Sequence, residues 1–185
     1  KNLATSNLVD KVAEKLGFKC HEVDVGFKNI SSTIKKYDAL IGGESSGGLT
    51  IRNYIFGKDS TFSSALFLEM VANLNKPVSQ IIKEVKDFAN FHYVILEDQM
   101  NYKDKEYILN CCKEKQPKFT YKIAKEIHLN NNYKYYFEDG SWALLRFSGT
   151  ERVIRIFVEM PNYEDAKENV LIIKDFVNEL ESVGV

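Results

Sequence analysis

The sequence predicts an α/β domain followed by an α+β domain whose sheet is mainly antiparallel. Helical and strand-like periods alternate over roughly the first ninety residues, which is the signature of an α/β unit. Beyond Asn90–Tyr93 the pattern changes to aromatic-rich strands grouped together, at residues 133–138, 141–147 and 153–159. Asp139-Gly140 joins the first two of these as a tight hairpin. A chain of 185 residues accommodates one large domain or two small ones. The change of pattern favours two, at residues 1–91 and 92–185.

The elements follow in order. Ser6 is a candidate N-cap for a helix carrying Leu8, Val9, Val12, Ala13 and Leu16, with Gly17 as its stop. A strand is expected at residues 18–25 and a short amphipathic helix at 31–36. Ala39-Leu40-Ile41 reads as a compact buried strand running into Gly42-Gly43-Glu44-Ser45-Ser46-Gly47-Gly48. Residues 62–74 predict a well-buried helix, and Pro77 opens another that ends near Phe88. The second domain begins with a strand at 93–97 and a helix at about 103–113, followed by a polar Lys/Asn-rich stretch up to Asn132. After the grouped strands, Ala166, Val170, Ile173, Phe176, Val177 and Leu180 mark one face of a last helix at about 164–180.

Composition removes several functions. Lys plus Arg number 25 against 26 Asp plus Glu, so the basic excess of a nucleic-acid binder is missing. Aromatic residues 133–137 beside arginines offer a stacking surface in principle, yet they alternate as strand core, and no nucleic-acid partner is expected. Cys20, Cys111 and Cys112 form neither a disulfide framework nor a zinc spacing. His21, His92 and His128 are scattered, so no metal site is expected in this chain. No apolar run approaches the ~20 residues needed to span a bilayer, and residues 1–6 lack both a signal-peptide apolar region and an initiator Met. The expectation is a piece of a longer, cytoplasmic, membrane-free protein.

Two loops carry chemistry. In the first, Glu44 stands among glycines at the carboxyl end of a strand, where open α/β sheets bind ligands. Glycines admit a ligand close to the backbone, and one carboxylate accepts from two neighbouring hydroxyls, which suits a sugar diol. A flexible turn with a solvated glutamate fits the same spacing. The second is Arg146-Phe147-Ser148-Gly149-Thr150-Glu151-Arg152, with Arg155 in the following strand. Its small polar residues build a tight turn whose N–H groups converge on an anion. The flanking arginines offer planar donor forks to phosphate oxygens. A surface hairpin whose arginines pair with Glu151 or Glu159 is the other reading.

Together these residues resemble one family. Gly43-Glu44-Ser45-Ser46-Gly47 is similar to the GExSG sugar-binding loop of the α-D-phosphohexomutases of phosphoglucomutase/phosphomannomutase type. Arg146 to Glu151 resembles their RxSGTE phosphate loop, with Arg155 at the matching arginine of the next strand. Val25-Gly26-Phe27-Lys28 looks like the (T/V)GxK segment, and Lys58-Asp59 resembles the EKDG turn. Four matches in order span essentially the whole chain.

The resemblance implies the third and fourth of four domains. The third is a three-layer α/β/α domain, and the fourth is an α+β domain with a mainly antiparallel sheet and two helices (TBP-like). It implies that Glu44 and Ser46 hold sugar hydroxyls. Arg146, Ser148, Gly149, Thr150 and Arg155 would clamp the phosphate that is not transferred. Lys28 would stand near the reacting oxygen, unless it is a solvated lysine. The family interconverts hexose 1-phosphate and hexose 6-phosphate through a glucose 1,6-bisphosphate-type intermediate, using a phosphoserine and Mg2+ held by its first two domains. Neither the TASHNP-like serine loop nor the DGDxDR metal loop occurs here. The implied partners are a hexose phosphate and the missing N-terminal domains I and II, and the chain alone is expected to be inactive. Phe147 and Arg152 replace the prolines of the commoner RPSGTEP form, Ser60 replaces the glycine of EKDG, and Ser45 falls at a variable position. A phosphoglucosamine mutase and a non-catalytic sugar-phosphate module are the neighbouring readings.

Overall fold

The computed structural model describes residues 1–183 and divides the chain into two compact units, Lys1–His92 and the remainder from Tyr93. The break falls one residue beyond the expected division at 91/92, which was drawn on the change of pattern.

The first unit is α/β. Its opening residues run parallel to residues 21–23, with Lys1 N donating to His21 O (2.8 Å), Val23 N to Lys1 O (2.9 Å) and Leu3 N to Val23 O (2.9 Å). Helix α1 (Leu8–Lys15) follows, with Ser6 Oγ accepting from Leu8 N and Gly17 beyond its end at φ +75°. Helix α2 (Phe27–Tyr37) buries Ile30 and Ile34. Strands β1 (Ile41–Gly43) and β2 (Leu49–Ile51) form an antiparallel hairpin. Gly42 seats that hairpin on α2, since a Cβ there would lie 2.6 Å from Ile30 Cγ2 and 2.8 Å from Ile34 Cδ1. Helix α3 (Ser60–Leu74) is N-capped by Asp59, whose side chain accepts from Phe62 N. Helix α4 (Val78–Ala89) starts after Pro77, whose fixed φ suits the entry.

Three expectations change here. The strand expected at residues 18–25 is extended chain that bridges only at Val23. The buried strand expected at 39–41 begins at Ile41, which is 59% exposed. Helix α3, read as well buried, has no buried side chain, and Leu68 is 66% exposed. Its apolar residues surround the helix rather than lining one face, so packing against β2 covers only part of them.

The second unit is α+β. Strands β3 (Val94–Asn101), β4 (Ile123–Leu129), β5 (Asn132–Phe137), β6 (Trp142–Phe147) and β7 (Val153–Met160) form one sheet in the order β3-β7-β6-β5-β4. Every neighbouring pair is antiparallel. Helices α5 (Lys105–Glu114) and α6 (Tyr163–Val183) supply the other layer. Period-two alternation sends Tyr133, Tyr135 and Phe137 of β5 into one core with Leu145 and Phe147 of β6 and Ile154, Ile156 and Val158 of β7. Ala166, Val170, Ile173, Val177 and Leu180 of α6 close it, as the helical spacing predicts. The three β5 rings are at most 4% exposed, so they have no face left on which a base stacks. On the opposite sheet face, the fully buried Lys134 lies with its Nζ 4.0 Å from the Trp142 ring, and Trp142 Nε1 donates to Glu159 (2.6 Å). Strand β4 lies within the stretch read as polar and Lys/Asn-rich, for which no strand was expected. It is an edge strand with mostly exposed residues and a register shift between Ile123 and Lys125, so its alternation is faint.

Candidate functional site

Glu44 opens the five-residue loop between β1 and β2. The loop is closed on itself by Glu44 N donating to Gly48 O (2.9 Å) and Gly47 N to Glu44 O (3.0 Å). The Glu44 side chain is 4% exposed and fully engaged rather than solvated. Oε1 accepts from Gly26 N (2.8 Å) and from Asn2 Nδ2 (3.3 Å), while Oε2 meets Lys58 Nζ at 2.7 Å. Burial raises this carboxyl, but the Lys58 ammonium, the Gly26 N–H and the Asn2 amide together outweigh it and hold it below the ordinary range. Glu44 is therefore an ionised carboxylate at neutral pH.

Lys58 connects the two residues assigned to sugar binding. The same Nζ that meets Glu44 lies 3.4 Å from Ser46 Oγ. Its stem crosses Gly48, where a Cβ would stand 2.8 Å from Lys58 Cε. An ammonium thus bridges Glu44 and Ser46, and the Lys58 side chain is half exposed. Lys28 sits in the first turn of α2, two residues after the Gly26 N–H that binds Glu44, with an exposed side chain. It is thus a residue of helix α2.

The second loop joins β6 to β7 at residues 148–152. Arg146 of β6 is the register partner of Arg155 of β7 and, across the other edge, of Asn132 of β5. Arg155 is in turn opposite Gln99 of β3. Directly opposed residues share a sheet face, so both guanidinium groups and two amides form one row beside the loop. Arg155 Nη2 lies 3.5 Å from Glu151 Oε2, both partly exposed, which makes this a weak surface pair. Within the loop, Thr150 N (3.4 Å) and Glu151 N (3.2 Å) both point at Ser148 Oγ. The N–H groups thus already converge on an oxygen, the arrangement an anion exploits. Ser148 is buried, whereas Gly149, Thr150 and Arg152 are exposed. A Cβ on Gly149 would meet nothing within 4 Å, so the approach to the loop is open.

Sequence reasoning did not find the segment supporting this loop. Lys105 Nζ donates to Ser148 O (2.7 Å), Tyr102 OH to Glu151 O (3.2 Å) and Tyr102 N to Arg152 O (3.3 Å). A cleft of about 430 Å³ lies there, lined among others by Tyr102, Asp104, Lys105, Gly149, Thr150 and Arg152. Asn2 and Lys58 were likewise missed as partners of Glu44, because both stand far from it along the chain. Gly48 was the available clue to Lys58.

Among the described residues no group of three or more His, Cys, Asp or Glu side chains could hold a metal ion. No helix among them is long and apolar enough to cross a membrane.

Two family models match the chain. Residues 1–88 match the α/β/α domain III of phosphoglucomutase/phosphomannomutase, and residues 111–174 match the C-terminal domain of the same proteins. A phosphoglucomutase/phosphomannomutase of Thermococcus kodakarensis is 32% identical over 166 residues, covering 90% of this chain and 34% of the relative. A phosphoglucosamine mutase of Methanococcus maripaludis is 29% identical over 181 residues, covering 97% of this chain and 36% of the relative. Among solved structures, a Thermus thermophilus protein described as a phosphomannomutase superposes with a TM-score of 0.71 at 26% identity, covering 96% of this chain and 35% of that one. The open form of a Paramecium phosphoglucomutase (parafusin) gives 0.68 at 22% identity over 98% of this chain and 37% of that one, a likeness of fold. The chain spans about a third of the length of the curated relatives it matches. It belongs to the phosphohexomutase family and carries that family's domains III and IV.

Proposed function

We propose that the chain is the C-terminal, substrate-gripping half of a phosphohexomutase that interconverts hexose 1-phosphate and hexose 6-phosphate, with glucose or mannose as the sugar. The observation that carries this reading is the pairing of Arg146 with Arg155 on one sheet face, beside a loop whose N–H groups converge. Two directly opposed arginines concentrate positive charge on one sheet face. A phosphate dianion complements that charge, and a planar guanidinium matches its oxygens with two donors. Ser148 and Thr150 add hydroxyls, and Gly149 leaves room for the ligand. In the first unit Glu44, held ionised, accepts from sugar hydroxyls together with Ser46 once Lys58 moves aside. Lys28 is the remaining cation assigned to the reacting end.

The chemistry of transfer lies elsewhere in this reading. The relatives' additional two thirds of sequence support preceding domains I and II as the partner that supplies the phosphoserine and holds Mg2+. A magnesium ion would neutralise charge on the phosphoryl group in transit. This chain's own part is to hold the sugar and the spectator phosphate while a glucose 1,6-bisphosphate-type intermediate turns over. Alone it binds weakly and does not catalyse, because in-line transfer requires nucleophile, metal and substrate together. Three free cysteines fit a reducing, cytoplasmic setting.

A second reading within the same chemistry has its own support, since phosphoglucosamine mutases recur among the relatives at 28–31% identity. The test is a coupled mutase assay on the polypeptide from the whole reading frame, with glucose 1-phosphate, mannose 1-phosphate and glucosamine 1-phosphate offered separately. Turnover of either of the first two supports the main reading, and turnover of glucosamine 1-phosphate alone supports the second. Binding without turnover of any sugar would instead mark a non-catalytic sugar-phosphate module.

A further inference from the structure

We propose that Lys105, with Tyr102, is a positioning residue of the phosphate loop that aims its N–H groups at the incoming anion. The inference rests on the reading of residues 146–155 as a phosphate site, but its geometry stands in the ligand-free chain.

In a trans peptide the carbonyl and the following N–H lie in one plane and point in opposite directions. The chain contains no cis peptide bond among the described residues. Lys105 Nζ holds the Ser148 carbonyl at 2.7 Å, so the Gly149 N–H is directed away from the first turn of α5. Tyr102 OH holds the Glu151 carbonyl at 3.2 Å, which directs the Arg152 N–H the same way. Both carbonyls that would otherwise point their negative ends at an anion are thereby drawn to the α5 side. The N–H groups of Thr150 and Glu151 already converge on Ser148 Oγ. The loop has no apolar anchor of its own, because residues 149–152 are exposed. Its register at the strand ends is fixed by Ser148 N donating to Val153 O (2.9 Å) and by Tyr102 N donating to Arg152 O. Between those two ends, the clamps on the Ser148 and Glu151 carbonyls determine where the remaining N–H groups point.

Lys105 also acts electrostatically. A cation bonded to a carbonyl polarises that peptide and makes its N–H a stronger donor. Its charge adds to those of Arg146 and Arg155 without occupying the phosphate position. Residues 146–155 contain no proline, so no pyrrolidine ring fixes a φ within the loop. A clamp from α5 supplies stiffness that the loop's own sequence does not.

The experiment compares the 185-residue chain with Lys105→Met, Lys105→Arg and Tyr102→Phe variants. Backbone amide relaxation of residues 149–152 is recorded without ligand, and inorganic phosphate is then titrated against the same amides. Expected for Lys105→Met are increased loop mobility before any ligand is added and phosphate affinity lower by on the order of tenfold. Lys105→Arg restores both, and Tyr102→Phe shows a smaller change of the same kind. Unchanged loop relaxation in Lys105→Met with phosphate affinity within about twofold of the parent overturns the proposal. Loss of affinity with an equally rigid loop and no rescue by Lys105→Arg overturns it as well. If phosphate binds no variant, the parent included, the phosphate-site reading fails, and the relaxation data alone decide whether Lys105 orders the loop. An unfolded Lys105→Met chain, detected by circular dichroism, leaves Tyr102→Phe and Lys105→Arg to carry the same comparison.

Discussion

Arg146 and Arg155 occupy directly opposed positions in β6 and β7, which places two guanidinium groups side by side on one face of the sheet. Arg146→Gln removes a charged donor pair from this row. A charge-assisted hydrogen bond contributes about 1.5–3 kcal/mol, so phosphate affinity falls by about tenfold or more, read by isothermal titration. Arg152→Gln, outside the opposed pair, changes affinity by no more than about threefold. The Arg146 variant also shows a shallower dependence of binding on ionic strength, since one fixed charge has gone.

Gly42 and Gly48 separate two kinds of glycine requirement. Gly42→Ala puts a Cβ 2.6 Å from Ile30 Cγ2, a well-packed neighbour, and overpacking of this sort costs about 1–3 kcal/mol. The loss is measured as a lower urea midpoint. Gly48→Ala meets the far end of a flexible lysine instead. Lys58 gives way, stability changes by less than about 0.5 kcal/mol, and the contact between Lys58 and Glu44 is lost. Its signature is a rise in the Glu44 pKa, followed by carboxyl carbon chemical shift.

The pH response of the sugar loop follows from Glu44. Its folded carboxyl titrates below the ordinary range, so its bonds to Gly26, Asn2 and Lys58 stabilise the native state fully above the unfolded value. That contribution is lost as pH falls through the lowered folded value. The Gly26 amide resonance therefore follows a transition whose midpoint lies below the ordinary glutamate value. Glu44→Gln abolishes that transition. A Gly26 transition centred in or above the ordinary glutamate range would contradict the assignment.

Cys112 is buried in the core of the second unit, and burial, reinforced by the neighbouring Cys111, pushes its thiol up to about 12. Thiolate is the reactive form. Iodoacetamide at mildly alkaline pH thus leaves Cys112 unmodified until denaturant is added, as peptide mass mapping will show.

Much of the second unit was legible because its signals are local. Asp139-Gly140 marks the hairpin, alternation in β5, β6 and β7 marks which side chains enter the core, and the spacing from Ala166 to Leu180 marks the buried face of α6. Strand β4 was not legible, since an exposed edge strand with residues such as Lys125 and Glu126 needs no apolar alternation. In the first unit, residues 18–25 have strand-like composition, but pairing needs a partner, and only Val23 bridges one. Helix α3 shows the converse, because apolar content predicts burial only where neighbouring elements provide it. At the site, Glu44, Ser46, Arg146 and Ser148 were readable as motifs. Asn2, Lys58, Tyr102 and Lys105 were not readable as their partners, because folding alone brings those side chains to the loops.

The central claim is that the loop between β6 and β7 receives a phosphate group while Glu44 and Ser46 receive sugar hydroxyls. Its most direct test is titration of the isotopically labelled 185-residue chain with glucose 1-phosphate, monitored at the amides of both loops. The account predicts saturable shifts at Gly149 and Thr150 that inorganic phosphate reproduces. It also predicts shifts at Glu44 and Ser46 that need the sugar and vanish in Glu44→Gln. Amides of residues 148–152 unmoved by either compound, under conditions where the chain is folded, would contradict it.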